Sequence, residues 1–598
     1  MRRSRFALIA PVLMGLAAVS LVGGAAQAAP RRAPQQPRAV VQGVADRTLR
    51  AALQRAAGEA TGDPVNRVEA RRRARQAAES ITALLRSDGY YDAAVTPDIG
   101  EGEHARGVVQ VDPGPLTRLA APQVQWVGSA PSAPADAAAR AAVRLKPGDP
   151  GRAPDVIAAE GRVVAALAQA GYADAKATPR EVVVDHADHS MRPTFRIAAG
   201  DLVRMDGMQL TGRTRTETRW LRRLAPWKTR EVYKPNDVAE LERRLLDTGV
   251  YDSVTVALAP KPNADGLRPV VVSLADRAKY VLSLGLGYST TEGPLVDSTF
   301  SVFNVLQRAD TVTLLARLQT IDTRVGVTES LPHFLNPGQT LLIGPDAFRD
   351  VTNAYTTQGG ELVANLTQRY GKYSFLTKGL SFVYSQIDDH ELGRLDIYSI
   401  RPLLAASLDH TDNVLNATHG YKLDARAEPI YVFGQENLIY LKLQAQGSTF
   451  LSLDEVGNRV LALRAQAGSI IGGQIPQVPA SDRFFAGGGG TVRGYEYQNV
   501  GPHYADNTPQ GGLSLIDATI ELRQRISGPV GGVLFLDSGT VGTQATPSFS
   551  HIASSVGIGL RYDLGFAPVR VDLATPINRL SGASQPPIQV YLSVGQSF

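Results

Sequence analysis

The sequence predicts a transmembrane β-barrel carried behind three periplasmic α+β domains. Three observations lead there. The first 28 residues read as a removable export signal, one helix-and-glycine phrase recurs about every 80 residues, and strand-like alternation takes over from about residue 277. The expected bounds are 1–28 for the signal peptide, 29–44 for a linker, then 45–116, 117–200 and 201–276 for the three domains. The barrel takes 277–598.

The signal rests on a cationic "MRRSRF", an apolar "ALIAPVLMGLAAVSLV" and the small-x-small site Ala26-Gln27-Ala28. "PRRAPQQPR" follows, a basic, proline-rich spacer that cannot pack a core. An exported chain with no cysteine forms neither disulfides nor thiolate metal sites, so backbone pairing and packing must supply its rigidity. The net charge of +5 is spread over both signs and selects no partner, and no nucleic-acid partner is expected. Past the signal there is no run of about 18 apolar residues, so no helix is expected to span a membrane. A soluble periplasmic protein or a β-barrel remains.

The repeated phrase is an amphipathic helix, a glycine stop and an aromatic–acidic pair. It reads Gly89-Tyr90-Tyr91-Asp92, Gly171-Tyr172-Ala173-Asp174 and Gly249-Val250-Tyr251-Asp252. Glycine after a helix supplies the left-handed residue that ends it. Strand-like runs follow ("GVVQVDPGP", "TFRIAAGD", "RPVVVSLADR"), giving three α+β units. The first unit shows no opening strand before Ala45.

In the carboxyl-terminal half, "KYVLSLGLGY" puts Tyr280, Leu282, Leu284, Leu286 and Tyr288 on one face and Gly285 and Gly287 on the other. "SLIDATIELRQR" puts Ile516, Ala518, Ile520 and Leu522 opposite Asp517, Thr519, Glu521, Arg523 and Arg525. About sixteen such segments fit the length of transmembrane strands, and an even number closes antiparallel without an edge in lipid. All three tryptophans precede this half, so tyrosine and phenylalanine must form any interfacial belt. The chain ends "PIQVYLSVGQSF", where Ile588, Val590, Leu592 and Val594 share parity with Phe598.

"FFAGGGGTVRGYEYQ" falls between the eleventh and twelfth segments, on a connection from Ser481 to Gly511 too long for an ordinary hairpin. With aliphatic faces to lipid, Glu521, Phe535, Asp537, Gly539, Gly557, Gly559 and Arg561 face the lumen. Glycines there leave room for an inserted segment, and Glu521 and Asp537 offer carboxylates to Arg493, whose planar fork suits them.

The repeated units resemble POTRA domains. "VRGYEYQ", "FLDSG" and "GIGLR" resemble the loop and facing-strand motifs of the BamA/TamA outer-membrane assembly superfamily. "LDHTDNVLNATHGYKL" is similar to its mid-barrel turn, with Ala417 where proline is usual. The resemblance spans essentially the whole mature chain. It implies a loop lock of Val492, Arg493, Gly494 and Tyr495 with Glu521 and Asp537. It also implies a lateral seam between the first and last strands, involving Tyr280, Leu282, Gly285, Gly287, Val590, Leu592, Val594 and Phe598.

By the same resemblance, the protein sits in the outer membrane with its POTRA domains in the periplasm. It inserts or exports unfolded β-barrel or autotransporter clients, uses no cofactor, and is no enzyme. Three modules favour TamA-like members, which work with a TamB-like inner-membrane-anchored protein. A two-partner-secretion exporter, a BamA-like general insertase and a passive porin are the alternatives. No G-x-S-x-G, H-E-x-x-H or P-loop pattern points to catalysis, and His390 and His503 read as solvated loop residues.

Overall fold

The computed structural model describes residues 35–101, 106–289, 293–371, 373–390, 393–435, 437–549, 551–565, 568–578 and 587–594. The expected signal peptide and Phe598 lie outside them, as does the side chain of Val594. The chain forms two compact units that divide between Leu202 and Val203.

The amino-terminal unit holds two α+β modules. In the first, the helices Arg47–Ala56 and Arg67–Ser87 cover a three-stranded sheet whose central strand is Gly107–Asp112. The longer helix starts at Asn66, whose side chain accepts from the Glu69 amide at 2.9 Å, and buries Ala70, Ala74, Ala77, Ile81 and Leu85. The sequence shows no opening strand before Ala45; the structure supplies one at Val40–Gln42, inside the expected linker, paired in parallel with Val108–Gln110. Three residues are too few to display a period of two.

The second module packs the helices Ala133–Ala142 and Ala153–Gln169 against a sheet centred on Ser190–Ala198. A third, in the other unit, sets the helices Thr218–Arg222 and Pro235–Asp247 on the strands Met205–Thr211, Arg268–Asp276 and Tyr251–Leu258. The repeated glycines Gly89, Gly171 and Gly249 take φ of 100°, 101° and 71°, the helix-ending conformation. The tyrosines that follow anchor the chain into each core: the Tyr172 hydroxyl accepts from the Ser132 amide, and the Tyr251 hydroxyl lies 2.6 Å from that of Thr216.

Sixteen antiparallel strands, from Tyr280–Ser289 to Gln589–Val594, close into a barrel. Leu282, Leu284 and Leu286 are 62%, 70% and 82% exposed on its outer face, which is the side that lipid covers. Phe382, Tyr384, Tyr398, Tyr431 and Phe433 stack on adjoining seventh, eighth and ninth strands, an aromatic belt built without tryptophan. Trp220 and Trp227 are buried in the third module instead.

The mid-barrel turn is held by its acidic side chains. Asp409 accepts from Thr411, and Asp412 accepts from Thr418 and the His419 amide. Gly420, at φ 101°, closes it. Ala417 is buried there, so the turn forms without the usual proline.

Candidate functional site

The connection between the eleventh strand, Arg459–Ile471, and the twelfth, Ser514–Ser527, folds into the barrel rather than away from it. Its apolar side chains Phe484, Ala486, Val492, Tyr495 and Val500 join one cluster with wall residues such as Ile430, Ile470 and Val541. Gly487 and Gly488, with φ of 105° and 90°, reverse the chain just before the arginine.

Arg493 is 2% exposed. Its Nε and Nη2 donate to the two oxygens of Asp537 at 2.7 and 2.9 Å, a bidentate fork, and its backbone amide donates to the same carboxylate at 3.1 Å. Nη1 donates to Glu521 at 2.9 Å and to Asp572 at 3.2 Å. The guanidinium lies 3.5 Å from the centroid of the Phe535 ring. These groups sit on the twelfth strand, the thirteenth, Val530–Gly542, and the fifteenth, Pro568–Pro576.

The wall glycines each make room, though not all for the loop. A Cβ on Gly539 would stand 2.8 Å from Val492, so this glycine admits the loop itself. Gly557 admits the Phe535 ring, and Gly559 the ion pair of Arg561 with Asp572. The room that these two glycines leave is taken by neighbouring wall side chains rather than by the loop. Gly494 donates to the Tyr591 hydroxyl at 3.1 Å, and the Tyr495 hydroxyl donates to the Ser554 carbonyl at 3.0 Å and the Asn578 carbonyl at 2.6 Å.

The structure thus brings Val492, Arg493, Gly494, Tyr495, Glu521 and Asp537 together, with Phe535, Gly539, Gly557, Gly559 and Arg561 around them. Sequence reasoning missed Asp572 and Tyr591. Both were within reach of the parity rule that found Asp537, since Val571, Leu573, Val590 and Leu592 on either side face outward. It also missed Arg464, which donates to the Gly490 carbonyl at 2.7 Å and pairs with Asp517 at 2.5 Å. His390 and His503 are not simply solvated. His390 pairs with Asp506 at 2.7 Å and stacks on Tyr504, and His503 lies 2.7 Å from Asn499, so both brace the loop.

At the seam, the first strand pairs with the second along its whole length, Tyr280–Ser289. Among the described residues it pairs with the sixteenth only at Tyr288 with Leu592 and Ser289 with Tyr591. Tyr280 and Leu282 point outward, as do Val590 and Leu592. Gly285 and Gly287 have ordinary clearance to Asp297 and Leu295 of the second strand.

Arginine, carboxylates and backbone ladder can hold and release a segment but present no nucleophile or acid–base pair to a substrate. Among the described residues no metal-binding group of side chains occurs.

Known proteins with the same build were found by sequence and by structure. Residues 304–598 match the Omp85 superfamily domain. Outer membrane protein assembly factor BamA of Neorickettsia risticii is 23% identical over 405 residues, covering 64% of this chain and 53% of that protein. The chain therefore spans about half the length of this relative. BamA from Haemophilus ducreyi lacking POTRA domains 1–3 superposes with a TM-score of 0.65 at 17% identity, over 80% of this chain and 99% of that one. CdiB from Escherichia coli gives a TM-score of 0.47 at 14% identity, over 90% and 99% of the two chains. The TamA-like subfamily expected from the module count has no counterpart among these three. The fold is that of a sixteen-stranded outer-membrane-type β-barrel accompanied by POTRA-like α+β domains, and residues 304–598 match the Omp85 superfamily domain.

Proposed function

We propose that this protein assembles or translocates β-rich proteins at the outer membrane, as a BamA-like insertase working without nucleotide or cofactor. The observation that carries this reading is the seam: a first strand fully paired on one side and, among the described residues, joined to the last strand at two positions. A strand with unused backbone groups is a template for another strand. A client segment would add to the edge from Tyr280 to Gly287 while Leu282 and Leu286 keep the hybrid sheet lipid-facing. Val590, Leu592, Val594 and Phe598 would form the parting edge. The lock of Val492, Arg493, Gly494 and Tyr495 on Glu521 and Asp537 keeps the strands beside the seam in register meanwhile. Residues 45–116, joined by the strand Val40–Gln42, and residues 117–200 and 201–276 serve as POTRA modules, with residues 1–28 as the export signal and the remainder of 29–44 as its linker.

A second, narrower reading is TamA-like: autotransporter-type clients and a TamB-like inner-membrane partner. The presence of three α+β modules favours it.

Because the chain has no cysteine, Tyr288→Cys with Leu592→Cys places one disulfide across the seam. Oxidised protein in liposomes is expected to stop inserting a barrel client, and reduction to restore insertion. Full-rate insertion by the oxidised form would overturn the seam. A general barrel client and an autotransporter client, assayed in parallel, separate the two readings.

A further inference from the structure

The loop is gripped at a second place, and that grip is built differently from the one at Arg493. We propose that Asp482 is the fixed end of the loop: it holds the inserted segment in the lumen whether or not the Arg493 lock is engaged. Asp482 closes a single helical turn, Ala480–Asp482, at the loop's root and is 4% exposed. Its carboxylate accepts both terminal nitrogens of Arg401 at 2.8 and 3.1 Å and the Tyr440 hydroxyl, and its carbonyl accepts from Lys442 at 2.8 Å. Arg401 stands on the eighth strand, Gly393–Asp409, and Tyr440 and Lys442 on the tenth, Leu438–Ser452.

The next residue ties the two legs of the loop to each other. Arg483 pairs with Asp389 on the seventh strand at 3.2 Å and donates to the Val478 carbonyl at 2.9 Å. It also reaches the returning leg, at the Tyr504 hydroxyl and the Gln510 carbonyl, both at 3.1 Å. Phe484 and Gly512 then exchange backbone hydrogen bonds at 2.8 and 2.9 Å. Both legs are therefore clamped at the root before the chain descends to Arg493.

Two features distinguish root from tip. The root holds the seventh, eighth and tenth strands; the tip holds the twelfth to sixteenth. In a ring of sixteen these are facing walls, so the loop is a strut across the lumen that ends beside the seam. The second is hydrogen bonding. Around the tip, Asp517 Oδ2, Ser555 Oγ, Arg561 Nε and Nη2, and Arg570 Nη1 are buried with no partner among the described residues. The members of the grips themselves, Asp482, Arg483, Arg401, Tyr440 and Lys442 at the root and Arg493, Glu521, Asp537 and Asp572 at the tip, have no such atom. Because the two grips hold different walls, the root can stay fixed when the tip lets go.

The test needs no client, so its outcome is independent of the assembly reading. A cysteine at Ala486, 1% exposed on the descending leg, reports loop withdrawal through a membrane-impermeant maleimide applied to barrels in liposomes. Insertion is verified by heat-modifiable gel mobility, and planar-bilayer conductance is recorded alongside. Asp482→Ala is expected to label severalfold faster and conduct more than the parent, Tyr440→Phe to fall between, and Asp482→Glu to recover protection. Arg493→Ala is expected to keep Ala486→Cys protected. Should Asp482→Ala fail to insert, Tyr440→Phe, which removes one hydroxyl, decides by the same readout. Parent-like protection in the inserted root variants, or labelling by Arg493→Ala as fast as by Asp482→Ala, would overturn the proposal.

Discussion

The third α+β module and the barrel it precedes differ in where their charged side chains go. In the module, Leu241, Leu245, Val270 and Val272 are fully buried, and the charged residues Arg243 and Asp265 stay outside. In the barrel, Leu282 and Leu286 are among the most exposed residues, and Glu521, Asp537 and Asp572 are fully buried. The same rule acts on both. Each surface faces the solvent it suits, water for the module and hydrocarbon for the barrel, and what is left over goes inside. The module is thus held by apolar area removed from water. The barrel wall is held by its closed hydrogen-bonded ladder, and its lumen adds an apolar cluster around the loop together with charges that must be matched.

The largest test of that contrast removes a carboxylate. Asp537→Ala leaves Arg493 Nε and Nη2 buried without their acceptor, while Nη1 keeps Glu521 and Asp572, and should cost about 3–5 kcal/mol. Urea titration of the barrel in liposomes, followed by gel mobility, measures it. Replacing an exposed ionic pair on the module, such as Arg243 with Glu240, should cost well under 1 kcal/mol. If the two losses came out alike, the lumen would be wet enough to solvate its own charges and the contrast would fail.

A smaller effect is expected on the outer face. Leu534, 53% exposed at the middle of the thirteenth strand, should cost about 2–4 kcal/mol as Leu534→Arg, because the new charge faces hydrocarbon. Val68, 79% exposed on a helix of the first module, should tolerate Val68→Arg within about 0.5 kcal/mol. Both side chains are largely exposed; the solvents they meet differ. The pair of urea midpoints checks this, and equal tolerance would mean that Leu534 does not meet lipid.

This inversion also explains which features could be read before the structure. A period of two is set by backbone geometry, so Glu521, Asp537 and Arg561 were assignable to the lumen from their outward neighbours Leu522, Leu536 and Leu560. Asp572 obeyed the same rule and was overlooked, although its strand carries the pattern clearly. The strand Val40–Gln42 was too short to have a pattern. Asp482 and Arg483 lie on irregular chain, where no period says which way a side chain points, and their partners Arg401, Tyr440 and Asp389 are between about 40 and 95 residues away. That the loop enters the barrel was legible from its motif; where its root is bolted was not.

The smallest expected effect is at the joint between module and barrel, where His333 meets both. It occupies the periplasmic turn after the fourth strand, Asp322–Pro332, with φ 53° and 5% exposure. Its Nδ1 accepts from the Gly338 amide at 2.9 Å, so the proton is on Nε2, which donates to the Arg244 carbonyl at 2.9 Å at the end of the module's helix. Trp220 packs beside the ring. The charged groups around it are Arg244 and Glu240, paired with each other, and Asp247, paired with Arg369. Burial holds the imidazole below its usual 6.5. A second proton would fall on Nδ1, against the Gly338 N–H. The neutral ring therefore contributes in full above 6.5, and the contribution falls as pH drops from there toward the depressed native value, at about 1.4 kcal/mol for each unit of depression. Hydrogen exchange in the helix Pro235–Asp247, compared at about pH 7.5 and about pH 5.5 after correction for intrinsic rates, should show protection lost on acidification. In His333→Asn that loss should vanish, because no group remains to take up the proton; an equal loss in both proteins would move the pH sensitivity elsewhere.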